Sequence, residues 1–183
     1  MSGLHTRNSD GLCEFRISKE VGEYGENILR EFLSYYYNIP VSKVVDARND
    51  LTCRELDIDF VVHTKHQGIK TYEVKTDTYY KSENMAFEYI SCVEANTPGC
   101  LVKTQADFVL YYFPKKKKAW RFKTEALRSY VLPRIQSGVY KKREVYNKGY
   151  YGTKTTIIYL VPLKELENNL GHYCTVFSIE DFN

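Results

Sequence analysis

No uninterrupted apolar run in these 183 residues approaches the ~18 residues of a membrane-spanning helix, so no membrane partner is expected. The polar stretch Met1–Phe15 carries no apolar core of the kind a secretory signal needs. The five cysteines (Cys13, Cys53, Cys92, Cys100, Cys174) are odd in number and scattered, without the close spacing of a zinc or redox motif. They read as reduced thiols, which together with the missing signal points to a cytoplasmic protein. The four histidines (His5, His63, His66, His172) show no metal-ligand spacing either. There is no internal repeat and no long linker. These absences argue against a disulfide scaffold, a zinc module, a membrane protein and a repeat array. What is present is a chain with 43% hydrophobic residues, too apolar to be disordered. Its length suits a single domain, 1–183, with a real core.

Net charge is only +3, but it is unevenly spread. From Pro114 to Lys154 there are thirteen Lys/Arg against two Asp/Glu, an excess of eleven that leaves the remainder at −8. An acidic part beside a basic part is the footprint expected of a protein acting on nucleic acid. Two clusters are candidate nucleic-acid contacts. Lys115, Lys116, Lys117 and Lys118 form one, for which a solvated turn is an equal reading. Lys141, Lys142, Arg143, Lys148 and Lys154 form the other, interleaved with Tyr140, Tyr146, Tyr150 and Tyr151. Cations there would neutralise phosphates while tyrosines stack on bases. The alternative is a tyrosine-rich hairpin packed on the core.

In the acidic part, Asp57-Ile58-Asp59-Phe60-Val61-Val62 and Tyr72-Glu73-Val74-Lys75 both alternate apolar and ionisable residues, as strands do. Asp57 and Asp59 then share one face, as do Glu73 and Lys75. Thr64–Ile69 is polar, and Gly68 suits a turn. A hairpin centred near His66 sets Asp59 opposite Glu73 and Asp57 opposite Lys75. Directly opposed residues have Cβ atoms about 4.5–5.5 Å apart, where like charges repel. The Asp59/Glu73 pair therefore calls for a cation. Mg²⁺ fits, since it takes oxygen ligands at about 2.0–2.1 Å and usually only one or two protein carboxylates. Asp57 is expected to pair with Lys75 or Arg54. Glu88 reads as structural or solvated, and Trp120 as core.

The remaining pattern predicts a helix over Lys19–Tyr37, capped by Ser18, with Glu26 on the edge of its buried face and Gly22 and Gly25 marking close packing. Strands are expected at Val41–Ala47, Asn84–Ser91, Ala106–Phe113, Ala119–Phe122, Thr155–Val161 and Tyr173–Phe177. Helices are expected at Glu125–Ile135, capped by Thr124, and at Leu163–Asn169. Strands and helices mix without regular alternation, which predicts an α/β or α+β fold around a central mixed β-sheet flanked by helices.

A helix bearing Glu26, then Asp59 on a strand, then Glu73-Val74-Lys75 on the paired strand resembles the PD-(D/E)XK nucleases. Asp57-Ile58-Asp59-Phe60 is similar to the corresponding strand of Holliday-junction resolvases and of small resolvase-like proteins. Asn84–Tyr89 and Lys103–Phe108 resemble uncharacterised phage-type members. The likeness covers residues 18–135, leaving a basic tyrosine-rich hairpin or loop and a strand-helix-strand in 136–183. Ile58 stands where the family has proline, which is not a ligand. The resemblance implies a restriction-endonuclease-like core and an Mg²⁺- or Mn²⁺-dependent endodeoxyribonuclease. In that scheme Asp59, Glu73 and the Val74 carbonyl hold the metal, Lys75 positions the attacking water, and Glu26 serves a second ion or a bound water. DNA is the implied partner, with RNA left open, and a homodimer suits the cutting of two strands. The alternative is a catalytically silent module on the same fold that binds nucleic acid or another protein.

Overall fold

The two charged segments lie side by side in the computed structural model, which describes residues 12–149 and 152–179. In chain order the elements are β1 (Leu12–Glu14), α1 (Phe15–Tyr36), β2 (Val44–Asp46), α2 (Leu51–Glu55), β3 (Phe60–His63), β4 (Ile69–Thr76), β5 (Asn84–Cys92), β6 (Thr97–Pro98) and α3 (Cys100–Lys103). They continue with β7 (Phe108–Phe113), β8 (Lys118–Lys123), α4 (Thr124–Gln136), β9 (Lys141–Gly149), β10 (Gly152–Pro162), α5 (Leu163–Leu170) and β11 (Cys174–Ser178). The architecture is mixed α/β. A central six-stranded sheet has the order β11-β8-β7-β4-β3-β2, and a second, five-stranded sheet has the order β1-β9-β10-β5-β6. The central sheet is mixed because β4 pairs with β7 in parallel and with β3 antiparallel.

Alternation along β4 sends neighbouring side chains into different layers. Tyr72 and Val74 join a core in which Leu29, Phe32 and Leu33 of α1 pack on Phe60 and Val62 of β3 and on Leu110 and Tyr112 of β7. The apolar face of α1 follows helical spacing, and each large side chain so buried contributes about 1.5–3 kcal/mol. On the other face of the central sheet, Val109, Tyr111 and Phe113 meet Met85 and Phe87 from β5, Leu127 and Val131 from α4, and Leu166 from α5. Glu73 and Lys75 point to this second side, since they lie abreast of Val109 and Tyr111 in the parallel ladder. Trp120 is buried there and its indole N–H donates to Glu167 at 2.8 Å.

The segment after residue 135 is woven into both sheets. Strand β10 pairs with β5, and β11 pairs with β8. The basic tyrosine-rich stretch is a long β9–β10 hairpin running from the Lys141/Leu160 pair to the Gly149/Gly152 pair. Tyr150 and Tyr151 lie outside the described residues. Several expected details differ. Helix α1 begins at Phe15, so Ser18 sits within it instead of capping it. Thr124 is the first helical residue of α4 and makes no capping bond. Val41–Lys43 forms a 3-10 turn that leaves only Val44–Asp46 extended. Asp50 caps an unforeseen short helix, its Oδ1 accepting from the Cys53 N–H at 2.9 Å. Among the described residues no helix is long and apolar enough to cross a membrane.

Gly25 shows why α1 can lie so close to the central strand. A Cβ built there would fall 1.9 Å from Thr76 Oγ1 and 2.8 Å from Thr76 Cβ, a branched side chain with little room to retreat. Gly25→Ala is therefore expected to destabilise the chain by about 1–3 kcal/mol through overpacking, read as a lower midpoint of urea unfolding. An unchanged midpoint would show that helix and strand have slack at this contact.

Candidate functional site

The hairpin joining β3 to β4 is centred on residue 66. Phe60 pairs with Tyr72 and His63 with Ile69, which sets Asp59 abreast of Glu73 at the point where the ladder ends. The Asp59 backbone is held from both sides. Its N–H donates to the Tyr72 carbonyl at 2.8 Å, and its carbonyl accepts from the Ala47 N–H at 2.9 Å. Its carboxylate then reaches over the strand end, where Oδ2 accepts from the Val74 N–H at 2.7 Å. In a regular strand the N–H and C=O of one residue point to the same side, so the Val74 carbonyl faces the Asp59 side as well.

Glu73 is buried, and its Oε1 lies 3.1 Å from Lys75 Nζ. Burial pushes the Glu73 carboxyl up to about 8, because the Lys75 charge only partly offsets the loss of water and the neighbouring Asp59 carboxylate adds to the rise. Burial also raises Asp59, against the pull of the Val74 N–H and the Lys75 ammonium. Desolvation works to lower the Lys75 amine, but the ionisable groups around it, Cys100 first and then Glu73, Glu88 and Asp59, outweigh it and hold the amine well above its ordinary range. Lys75 is thus an ammonium beside two buried carboxyls, of which Glu73 keeps its proton up to about 8.

These three residues lie on the floor of an open cavity of about 400 Å³, walled by Arg48, Arg54, Asp57, Glu88, Cys100 and Lys103. Strand β5 supplies Glu88 and Ser91. They line the same cavity although three residues apart, because a register shift opposite Ile157/Ile158 inserts an extra residue between them. Helix α3 closes the space above. A Cβ at Gly99 would fall 2.1 Å from the Glu88 carbonyl oxygen, so only glycine lets α3 sit this low on β5. Glu88 Oε1 then accepts from the Cys100 N–H at 3.3 Å. Burial keeps the Cys100 thiol far above its ordinary value, hence neutral.

Asp57 departs from expectation. It is not a strand residue but adopts a left-handed conformation with φ of 48°, which aspartate tolerates better than most residues. Its partner is neither Lys75 nor Arg54 but Lys103, at 3.1 Å. Its Oδ2 is buried without a hydrogen-bond partner among the described residues. Glu26 forms an ion pair with Arg48, which also binds Asp46 at 2.5 Å. Glu26 thus meets the cavity only through Arg48.

The predicted basic contacts are dispersed. Lys116 pairs with Glu83, and Lys115 and Lys118 lie over the rings of Tyr80 and Trp120 at 5.5 and 4.9 Å. Lys117 occupies the left-handed position that ends the β7–β8 turn. On β9, Lys141, Lys142 and Arg143 are exposed, and Lys142 pairs with Glu144 at 3.1 Å. The Lys148 side chain lies outside the described residues. Among the described side chains of the two clusters, Lys154 alone reaches the cavity wall, donating to Ser91 Oγ at 3.0 Å. The cavity's own cations, Arg48, Arg54 and Lys103, come from the acidic part of the sequence. No spacing signal marked them: Arg48 follows the short β2, and Arg54 and Lys103 lie in the last turns of the short helices α2 and α3, whose positions depend on tertiary contacts.

Comparison with protein-family models, with curated proteins and with solved structures finds no match to this chain. What the site could hold is therefore argued from its donors. Two carboxyls and a carbonyl are hard oxygen donors, and burial raises both carboxyls against the pull of Lys75. Among the described residues no group of three or more His, Cys, Asp or Glu is arranged as a ready metal cage. That donor set suits an ion satisfied with one or two carboxylates, such as Mg²⁺, and does not suit a closed structural site.

The raised Glu73 carboxyl has a consequence for stability. Between its ordinary value of 4.5 and about 8, the folded state holds a proton that the unfolded chain releases. This group's contribution is fully present below 4.5 and is lost as pH rises to about 8. The melting temperature in EDTA is expected to fall from pH 5 to pH 8, and less steeply in Glu73→Gln. Equal slopes in the two proteins would mean that Glu73 is already ionised in the fold.

Proposed function

We propose that the chain is a metal-dependent nuclease of the PD-(D/E)XK kind that hydrolyses phosphodiester bonds, with DNA as substrate. The observation that carries this reading is the convergence of Asp59, Glu73 and Lys75 on the floor of one open cavity. Each side chain reaches it for a stated backbone reason. A purely structural role gives no account of two carboxyls raised by burial beside an ammonium on the lining of one cavity.

In this reading Asp59, Glu73 and the Val74 carbonyl hold Mg²⁺ or Mn²⁺. When bound, the ion polarises the scissile phosphate and makes a water more acidic. The chain's own residues do the rest. The Val74 N–H fixes Asp59 Oδ2 in place beside Glu73. Lys75 stays charged, so it orients the water and offsets the negative charge that grows on the phosphate as the bond forms. Glu73 anchors the Lys75 ammonium at 3.1 Å. Glu26 acts at one remove, by holding Arg48 at the cavity wall. A homodimer and a cytoplasmic location accompany this reading.

A second reading, a nucleic-acid-binding module without turnover, is favoured by the absence of a third acidic, Cys or His ligand beside the pair among the described residues. One panel separates the two. Purified protein is incubated with branched, duplex and single-stranded DNA in Mg²⁺, Mn²⁺ or EDTA. Cleavage is expected only with metal, and Glu73→Ala and Lys75→Ala are each expected to lower the rate by about 10²–10⁴-fold. Cutting that survives EDTA, or full activity in both variants, contradicts the nuclease reading. Salt-sensitive binding with no cleavage under any ion selects the module.

A further inference from the structure

The charges of the cavity are layered. Glu73, with a side chain only 5% exposed, lies at the bottom beside Asp59, whereas the Lys103 side chain is 37% exposed and Arg54 lies open at the mouth. Arg54 lies in the last turn of α2, the short helix that Asp50 caps, and lines the cavity. Its guanidinium makes no hydrogen bond or ion pair among the described residues. Lys103 ends α3 on the same side. It is kept there by Asp57, whose carbonyl in turn accepts from Thr104 Oγ1 at 2.6 Å. Asp57 occupies one of the three N–H donors of the Lys103 ammonium, and the side chain is 37% exposed, so donors remain for an incoming anion. Lys154 on Ser91 places a third cation on the β5 wall.

We infer that Arg54 and Lys103 form a phosphate clamp. They grip a backbone phosphate of the nucleic-acid strand next to the one seated over Asp59 and Glu73, and Lys154 guides the strand at the β5 wall. This rests on reading the cavity as the place where a polynucleotide is cut. It assigns substrate binding to two residues of the acidic part of the chain, away from the lysine run Lys115–Lys118. An acidic floor repels phosphate unless cations surround it, so rim cations at this depth are what a polyanion needs in order to enter. Arginine suits the mouth because its planar fork binds phosphate oxygens in pairs, and Arg54 has no ion pair among the described residues to break first.

The test is equilibrium binding of a short fluorescent DNA, single-stranded and duplex, across a salt series in EDTA and in Ca²⁺. Arg54→Ala and Lys103→Ala are each expected to reduce the slope of log Kobs against log salt by about 1, and the double variant by about 2. Arg54→Lys and Lys103→Arg are expected to restore the slope. Lys164→Ala, whose lysine pairs with Glu167 at 3.2 Å outside the cavity lining, is expected to leave it unchanged. Melting curves check that each variant is folded. Unaltered slopes in folded single and double variants, while the parent chain binds and cuts DNA, overturn the clamp and leave the nuclease reading standing. Reduced slopes in a chain that never cuts support the clamp and overturn the nuclease reading. A parent chain that binds no DNA at any salt overturns both.

Discussion

The hydrogen bond from the Val74 N–H to the Asp59 carboxylate is where the fold and the site become one object. It forms only because the β3–β4 hairpin is centred on residue 66, so that β3 runs out as β4 reaches Glu73. A one-residue slip would turn Tyr72 and Val74 out of the α1 core and drive Glu73 and Lys75 into it. The apolar cost of that slip is large, since Tyr72, Phe60 and Val62 are all fully buried. Packing of hydrophobic side chains on one face of the sheet therefore holds the charged groups of the other face in place.

The site is held together under electrostatic strain of a definite kind. Two carboxyls and an ammonium share a floor from which water is largely withdrawn, and both carboxyls rise as a result. Removing water from charges costs more than one ion pair at 3.1 Å returns. Such an arrangement lowers stability unless something positive completes it. Folds tolerate that deficit where binding restores it, and the apolar cores on either side of the central sheet are extensive enough to bear it.

The walls of the cavity show how distant segments cooperate. The bulge in β5 brings Glu88 and Ser91 to one side, Gly99 lets α3 settle on the backbone beneath it, and the left-handed turn at Asp57 aims its carboxylate at Lys103. Each is a local departure from regular geometry. Together they convert the edge between two sheets into a space with acid at its base and cations around it. The lysines counted most readily along the chain mostly spend their charge elsewhere, on Glu83, Glu144 and the rings of Tyr80 and Trp120.

Local pattern alone determined a good deal: the alternation of Asp59 to Val62 and of Tyr72 to Lys75, the turn at Gly68, the long first helix and the mixed α/β class. These follow from side-chain periodicity and turn chemistry, which act over a few residues and are visible in the order of the letters. Arg48, Arg54, Lys103 and Glu88 were not legible as a site, nor was the pairing of Glu26 with Arg48. Their positions depend on a bulge, a close backbone approach and two short helices, each selected by contacts between segments far apart in the chain. Charge composition placed the positive half after Pro114, but only the folded arrangement decided which cations face the carboxylates, because proximity in space is set by packing and not by count.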